Sequence, residues 1–179
     1  MYLDESGFSP TLPTGYSWMR IGQRKCVAYQ APEGRRVNVV AAQSWTHDQL
    51  FFECRAKTEG RYDGAAHVRF VRKIKARLAL MGCRPRPLWI VQDNYSVHHS
   101  RIVQEEKPLL EAAGIHFFYL PAYSPAMNDI EALWRQVKYQ DLPDRSYQTE
   151  PALKAAVENA LQARADTMPK NHMALPLAA

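Results

Sequence analysis

The chain of 179 residues is long enough for one domain with a buried core, and its 46% hydrophobic and 11% aromatic shares are typical of a folded protein rather than a disordered one. Its formal net charge of +5 is compatible with a polyanionic partner, whereas three separated cysteines outside CxxC pairs indicate neither a disulfide framework nor a zinc site of cysteines. No apolar run approaches the roughly 20 residues that span a bilayer, and no signal peptide is recognisable, so we expect a cytoplasmic protein without membrane contact.

The first part of the chain is predicted to form short strands. Residues 1–4 have the pattern of the end of a strand that is cut short on its N-terminal side, and they finish with Asp4. Further strands are expected at 16–21, 25–29, 37–43 and 50–54. The intervals between these segments are too short for a crossover helix, so we expect neighbouring strands to pair antiparallel.

A helical period follows from residue 62 to residue 81. Four apolar residues repeat at helical intervals: Val71, Ile74, Leu78 and Met81. The opposite side of this helix is basic, with Arg69, Arg72, Lys73 and Arg77. A solvated helix surface is the favoured interpretation of this basic side, ahead of contacts with phosphates.

Two apolar runs without alternation, 88–92 and 115–119, are typical of strands buried on both faces of a mainly parallel sheet. Asp93 directly follows the first run, so it is expected at the carboxyl edge of a central strand, where open α/β sheets bind their ligands. Between the two runs we expect a helix over 100–107 and a second short helical piece that begins at Pro108.

The second run leads into the segment LPAYSPAMNDIEALW at residues 120–134. Pro121 and Pro125 keep the chain extended, so the next helix is predicted to begin with Asn128 as its N-cap. Glu131 then lies in the first helical turn, near the positive end of the helix dipole. A capping box formed by Asn128 and Glu131 would explain both residues without a catalytic role.

A last helix is predicted from the capping residue Thr149 to about residue 165. The expected organisation is therefore one domain over residues 1–165, followed by a C-terminal tail over residues 166–179. We find no internal repeat and no linker between domains in the sequence.

Three acidic residues on separate predicted elements can gather at one edge of the sheet: Asp4, Asp93 and Glu131. Their charges would repel one another unless a cation lay between them. Mg²⁺ prefers carboxylate oxygens and shares its remaining positions with water and substrate phosphates. Two such ions can activate an attacking water or hydroxyl and stabilise the leaving oxygen. The pattern predicts metal-dependent cleavage or transfer of phosphodiesters.

The DESGF opening, the strand ending in DN with a His five residues beyond the Asp, and LPAYSP..NDIEALW together resemble a mariner-type DDE transposase of the bacterial insertion-sequence branch. The resemblance covers residues 1–139. It implies an α/β, RNase H-like fold, with a mixed five-stranded sheet of antiparallel N-terminal strands and then parallel strands, flanked by helices. The family's acidic triad falls on Asp4, Asp93 and Glu131, as catalytic residues and as ligands of two Mg²⁺ ions, for which Mn²⁺ can substitute.

By this resemblance, the protein cuts DNA at the ends of an insertion sequence and joins the freed 3′-hydroxyl to target DNA, commonly at a TA step. The implied partners are double-stranded DNA, as transposon ends and target, and a second copy of the chain, in the nucleoid of a bacterium. Supporting positions near the metal or the DNA are Asn94, His98, Tyr123, Ser124 and Asn128. A packing or helix-start role is the alternative for His98, and packing is favoured for His99.

Two departures from the family pattern affect the expected function. Asp129 stands where the family usually has Pro, which adds a fourth acid beside the site. The family's helix-turn-helix DNA-binding region has no counterpart in this chain, so we expect a separate protein or region to supply it. An active catalytic domain therefore competes with a truncated, inactive remnant that binds DNA or transposase, which the short anchoring of Asp4 would favour. The YSP..NDIE loop argues against a third alternative, an RNase H-like nuclease outside transposition.

Overall fold

The structure, a computed structural model, describes residues 1–11, 19–24, 26, 36–44, 48–82, 86–122, 124–142 and 147–168. Five strands form its central sheet: β1 (Tyr2–Phe8), β2 (Val37–Ser44), β3 (Gln49–Arg55), β4 (Leu88–Gln92) and β5 (Ile115–Tyr119). Their spatial order is β3-β2-β1-β4-β5. The first three strands pair antiparallel, and β4 runs parallel to both β1 and β5. The predicted mixed five-stranded sheet is confirmed.

The central strand β1 is longer than predicted. It continues past Asp4 to Phe8, so Asp4 lies in the middle of the strand, opposite Ala41, and the prediction that a strand ends at Asp4 is wrong. The extension is stable because every residue of β1 pairs with β2 and because Phe8 is buried. On the β4 side, the Met1 amino group donates a hydrogen bond of 2.9 Å to the backbone oxygen of Trp89. The strand that carries Asp4 is thus held from both sides.

The strands predicted at 16–21 and 25–29 fall largely outside the described residues. Only positions 19–21 and 26 of these two segments are described, and none of them lies in a strand. The other predicted strands are confirmed, with ends that differ by at most one residue. The expected burial of β4 and β5 on both faces is wrong, because Trp89 of β4 and Phe118 of β5 are each 54% exposed.

Within the described residues, four α-helices pack against the sheet: α1 (Gly64–Leu80), α2 (Arg101–Ala112), α3 (Ile130–Gln136) and α4 (Glu150–Thr167). One hydrophobic core joins the sheet to α1 and α2 and includes Leu3 and Ile74. The other joins the sheet to α3 and α4 and includes Phe8 and Trp134. Because side chains alternate along a strand, successive residues of β1 face different cores.

Helix α2 is continuous, so the predicted break at Pro108 is wrong. Val103 and Leu110, on either side of Pro108, are fully buried in the core. Proline lacks the N–H for one hydrogen bond of the helix, and the burial of these two side chains compensates for the loss. Gly114 follows the helix with a φ of 74°, a left-handed conformation that glycine adopts without steric strain, and the chain turns there into β5.

The C-terminal helix α4 begins where predicted. The Thr149 hydroxyl accepts a hydrogen bond of 3.3 Å from the N–H of Ala152 and caps the helix. The helix extends to Thr167, beyond the domain end predicted at residue 165, and residues 169–179 of the predicted tail lie outside the described residues. Among the described helices, none combines the length and the apolar composition needed to cross a membrane.

Candidate active site

Three acidic side chains from three separate elements line one cavity of about 420 Å³: Asp4, Asp93 and Glu131. Asp4 extends from β1 toward α3, Asp93 follows β4 at the carboxyl edge of the sheet, and Glu131 lies in the first turn of α3. The three carboxylates that the sequence placed at one edge of the sheet therefore line the same cavity.

The carboxyl group of Asp4 lies in an environment that disfavours its charge. Burial is the largest cause and raises the pKa of Asp4 to about 7, and the charges of Glu5 and Glu131 act in the same direction. The indole Nε1 of Trp134 donates a hydrogen bond of 2.9 Å to Oδ2 of Asp4, which opposes the shift and fixes the orientation of the carboxyl group. A carboxylate in such surroundings is strongly stabilised by a cation placed beside it.

Asp93 is more exposed, and the turn after β4 fixes its orientation. Its Oδ1 accepts a hydrogen bond of 2.9 Å from the N–H of Tyr95 and lies 3.2 Å from Nδ1 of His98. The same nitrogen of His98 lies 3.1 Å from the backbone oxygen of Asp93, and Nε2 of His98 lies 3.1 Å from Oε1 of Glu5. Burial opposes protonation of His98, but the contacts with Glu5 and Asp93 outweigh it and raise the pKa of His98. His98 is thus a buried residue that positions Asp93 and Glu5.

Asn94 joins the end of β4 to the loop that leads to Glu131. Its Nδ2 donates a hydrogen bond of 2.6 Å to the backbone oxygen of Leu120, and its Oδ1 lies 3.1 Å from Nε2 of His99. His99 stacks on Tyr119 at 4.5 Å between ring centroids, in agreement with the packing role favoured from the sequence. Asn94 lines the cavity, yet both polar groups of its side chain bond within the protein.

Asn128 is not the N-cap of α3, so that prediction is wrong. Asp129 occupies the cap position, and no side-chain hydrogen bond caps the helix. A short 3-10 turn at Pro125–Met127 comes directly before and determines where the helix can start. Since no capping box forms here, Glu131 is not explained by one. Asn128 is instead buried at the cavity, and its Oδ1 has no hydrogen-bond partner among the described residues.

Of the remaining predicted positions around the loop, one lines the cavity, one lies outside it, and one is not among the described residues. Ser124 lines the cavity, and its hydroxyl donates a hydrogen bond of 3.3 Å to the backbone oxygen of Ala122. Asp129 is exposed and does not line the cavity. Tyr123 lies outside the described residues.

A family model described as DDE superfamily endonuclease matches residues 1–154, which contain all three carboxylates. The chain belongs to this family. The predicted membership in the DDE family is confirmed, and assignment to the bacterial insertion-sequence branch stays a prediction. No curated protein sequence matches the chain at a significant level.

Similar solved structures of Mos1 transposase show the same fold as this DDE endonuclease family member. A paired-end complex with the left transposon end has 15% identity and a TM-score of 0.65, over 94% of this chain and 52% of that one. The Mos1 strand transfer complex has 19% identity and a TM-score of 0.63, over 93% and 48%. A Mos1 mariner paired-end complex with Mn has 14% identity and a TM-score of 0.62, over 92% and 52%. The chain spans about half the length of these transposases, and its fold is RNase H-like.

A second cavity, of about 490 Å³, adjoins the first, and Asp4 and Asp93 line both. Three arginines line the second cavity: Arg36, Arg55 and Arg61. Guanidinium groups bind phosphate oxygens in a planar, often bidentate geometry. In this member of the DDE superfamily endonuclease family, the two aspartates thus lie between a cavity whose charged residues are all acidic and a cavity that also contains arginines. Sequence reasoning missed these arginines because they are scattered along the chain and only the fold assembles them.

The basic side of α1 has a different role. Arg72 forms an ion pair of 2.6 Å with Glu106 of α2, and Lys73 forms one of 2.6 Å with Glu53 of β3. These pairs neutralise part of the basic side and support the interpretation of a solvated helix surface.

A buried cluster behind β1 was also missed from the sequence. In the part of the chain that the structure describes, Glu5, His67 and His98 are the only three His, Cys, Asp or Glu side chains that bring ligand atoms within 4.8 Å of one another. Nδ1 of His67 lies 3.0 Å from the hydroxyl of Tyr62. Burial, with the charge of His98 as a smaller cause, lowers the pKa of His67 to about 3. The sequence contains only a weak indication of this cluster. Predicting it would have required knowing which residues of β1 face α1 and which residues of α1 face the sheet.

Proposed function

We propose that this chain is the catalytic domain of a transposase, which cleaves DNA at the ends of an insertion sequence and joins the freed ends to target DNA. The observation that carries the proposal is the convergence of Asp4, Asp93 and Glu131 on one cavity in a chain of the DDE superfamily endonuclease family. Carboxylates on three separate elements form an arrangement that can hold divalent metal ions against a phosphodiester.

The chemistry of the cavity fits hard divalent cations. Its three charged residues offer only oxygen ligands, and the raised pKa of Asp4 reflects the burial of its carboxyl group and the charges of Glu5 and Glu131. The buried Oδ1 of Asn128 has no partner among the described residues, so it can accept a hydrogen bond from a metal-bound water. We propose that Asp4, Asp93 and Glu131 hold two Mg²⁺ ions, or Mn²⁺ in their place. Bound by these residues, two such ions would activate the attacking oxygen and stabilise the leaving oxygen of a phosphodiester.

The protein's own residues orient these groups. Trp134 fixes one oxygen of Asp4, and His98 fixes Asp93 through Nδ1. Removing such supporting contacts typically reduces metal affinity or activity by about 10 to 100-fold. The arginine-lined cavity is suited to hold the DNA backbone next to Asp4 and Asp93, because Arg binds phosphate at close range without sequence preference.

The partners of the domain are proposed from its resemblance to longer transposases. The similar Mos1 transposase structure is a paired-end complex with the left transposon end. We propose that this chain likewise acts on double-stranded DNA as a homodimer in the bacterial nucleoid. A separate helix-turn-helix region would supply recognition of the ends, since phosphate contacts alone carry no sequence information.

The test is cleavage and strand transfer on short duplexes in Mn²⁺, with three proteins: the unmodified chain, Asp93→Asn and Asp129→Asn. Asp129 is the matched control, because it is an exposed acid next to the site that does not line the cavity. We expect nicking or joining by the unmodified chain and by Asp129→Asn. Asp93→Asn is expected to lose at least about 100-fold, since a metal ligand contributes several kcal/mol to transition-state stabilisation.

Thermal unfolding with and without Mn²⁺ accompanies the assay. Binding to the folded state raises the unfolding temperature, and Asp93→Asn should reduce this increase. Equal activity of Asp93→Asn and the unmodified chain would contradict the metal-site assignment. A folded chain without cleavage in Mn²⁺ would instead favour the inactive remnant.

A further inference from the structure

The cluster of Glu5, His67 and His98 lies on the opposite side of β1 from Asp4. Its members come from three elements: Glu5 from β1, His67 from α1 and His98 from the turn after β4. Both histidines are fully buried, and the Glu5 side chain is 19% exposed. One ligand atom of each residue lies within 4.8 Å of the others. This set of donors contains two nitrogens and one oxygen, unlike the oxygen-only set of the carboxylate cavity.

An unsatisfied nitrogen in this cluster points to a ligand. Nδ1 of His67 contacts the Tyr62 hydroxyl at 3.0 Å, but Nε2 of His67 is buried and has no hydrogen-bond partner among the described residues. Leaving a buried polar atom without a partner is unfavourable, and such atoms are rare in folded proteins. A metal ion bound by Nε2 would remove this defect.

Both histidines have the support that metal-binding histidines usually have. In such residues one ring nitrogen ligates the metal while an oxygen atom fixes the other. For His67 this oxygen is the Tyr62 hydroxyl, and for His98 it is the backbone oxygen of Asp93, 3.1 Å from Nδ1. Nε2 of His98 then faces Oε1 of Glu5 at 3.1 Å.

We propose that Glu5, His67 and His98 bind one Zn²⁺ ion, through Oε1 and the two Nε2 atoms, with water as the fourth ligand. Two imidazoles and one carboxylate are a ligand set typical of zinc, whereas Mg²⁺ prefers oxygen. Zinc bonds of about 2.0 to 2.2 Å place tetrahedral ligand atoms about 3.3 to 3.6 Å apart, so those ligand atoms that now lie farther apart, within 4.8 Å of one another, would move closer when the ion binds. Glu5 and Tyr62 line the arginine-lined cavity, which gives the ion and its water a path from solvent.

This ion would connect β1, α1 and the turn after β4. The first and third of these elements carry Asp4 and Asp93, so the zinc would hold the two aspartates in a fixed relation without contacting the DNA. Its presence does not depend on the proposed transposase function, because binding can be measured without DNA.

The test uses the full chain, stripped of metal with a chelator and titrated with Co²⁺ and then Zn²⁺. We expect one equivalent of Co²⁺ to produce the visible absorption bands of a four-coordinate site, and Zn²⁺ but not Mg²⁺ to remove these bands. His67→Phe and Glu5→Gln are expected to abolish these bands. Tyr62→Phe is expected to weaken binding by about 10 to 100-fold, since it removes the support of His67.

Two matched variants serve as controls. His116→Gln removes a histidine outside the cluster, which stacks on Trp89. Glu131→Gln removes an acid of the carboxylate cavity. Both are expected to leave the four-coordinate Co²⁺ bands unchanged, whereas Glu131→Gln lowers Mn²⁺-dependent cleavage. A loss at one site can thus be distinguished from a loss at the other.

Absence of the four-coordinate Co²⁺ bands from the unmodified chain would overturn the proposal, as would bands that persist in both His67→Phe and Glu5→Gln. If His67→Phe does not fold, as judged by circular dichroism, Glu5→Gln decides alone, because Glu5 is partly exposed and its replacement leaves the core intact.

Discussion

Two adjacent carboxylates of β1, Asp4 and Glu5, lie in opposite environments. Asp4 faces α3, accepts a hydrogen bond from Trp134 and has a pKa raised to about 7. Glu5 faces α1 and lies 3.1 Å from the imidazole of His98. The charges of Glu5 and Glu131 raise the pKa of Asp4, whereas Glu5 lies in a network with imidazole nitrogens. Asp4 thus belongs to the oxygen-only set proposed for Mg²⁺, and Glu5 belongs to the set of two nitrogens and one oxygen proposed for Zn²⁺.

The alternation of a single strand produces this difference. Successive side chains of a strand point to opposite faces, so neighbours in sequence contribute to different sites. Because β1 pairs with β2 on one side and contacts β4 on the other, its backbone is held firmly, and both carboxylates keep fixed positions. One strand thus serves the carboxylate cavity and the buried cluster together.

The largest expected effect is on the rate of cleavage, and it distinguishes Asp4 from Glu5. Asp4→Asn is expected to reduce Mn²⁺-dependent cleavage at least about 100-fold, because it removes a proposed metal ligand. Glu5→Gln is expected to reduce cleavage about tenfold, because it acts only through the positions of His98 and Asp93. Single-turnover cleavage of a nicked duplex would measure both. Equal losses in the two variants would show that the two faces of β1 do not differ in function.

A second prediction concerns the pH dependence of stability without metal. The folded-state pKa of Asp4, about 7, lies above its ordinary value of 3.8, so protonation of Asp4 favours the folded state. This contribution is fully present below pH 3.8 and is lost as the pH rises through about 7. In a chelator, the free energy of unfolding should therefore decrease between about pH 4 and pH 7, by roughly 2 kcal/mol after allowance for partial solvent exposure.

Denaturant unfolding of Asp4→Asn beside the unmodified chain measures this contribution. The variant should lose the decrease that Asp4 causes, because an amide does not titrate in this range. A pH profile that is identical in both proteins would mean that Asp4 is better solvated than its burial implies.

The smallest expected effect distinguishes the arginines beside the two aspartates from the basic side of α1. Arg61→Ala should weaken binding to any duplex and reduce the slope of log affinity against log salt by about 1, because Arg61 lines the cavity proposed for phosphate. Arg72→Ala should leave this slope unchanged and alter stability by less than about 0.5 kcal/mol, since Arg72 forms an exposed ion pair with Glu106. Fluorescence anisotropy at several salt concentrations compares them, and equal slopes for the two variants would argue against the cavity as the DNA site.

The sequence predicted some elements well because their signals are local. Uninterrupted apolar runs identified β4 and β5 with the correct ends, and the position of Asp93 followed from β4. Glu131 was placed in the first turn of a helix by the prolines before it.

Other features depend on tertiary contacts that no local pattern contains. The residues after Asp4 have low strand propensity, yet pairing with β2 extends β1 to Phe8. Asn128 has the chemistry of an N-cap, but a 3-10 turn shifts the helix start and buries its side chain. The cluster around His67 requires the relative placement of a strand, a helix and a turn, which are distant in sequence.

The hydrogen bond from Asn94 to the backbone oxygen of Leu120 has a consequence for engineering. Together with the bond of 2.8 Å from the Leu120 N–H to the backbone oxygen of Gln92, it closes the chain on itself next to Asp93. The segment that contains α2 and β5 therefore leaves the site and returns to it, and its turn at Gly114 lies at the far end of the sheet. A reporter peptide inserted at that turn should lengthen the chain between Asp93 and Glu131 without separating them.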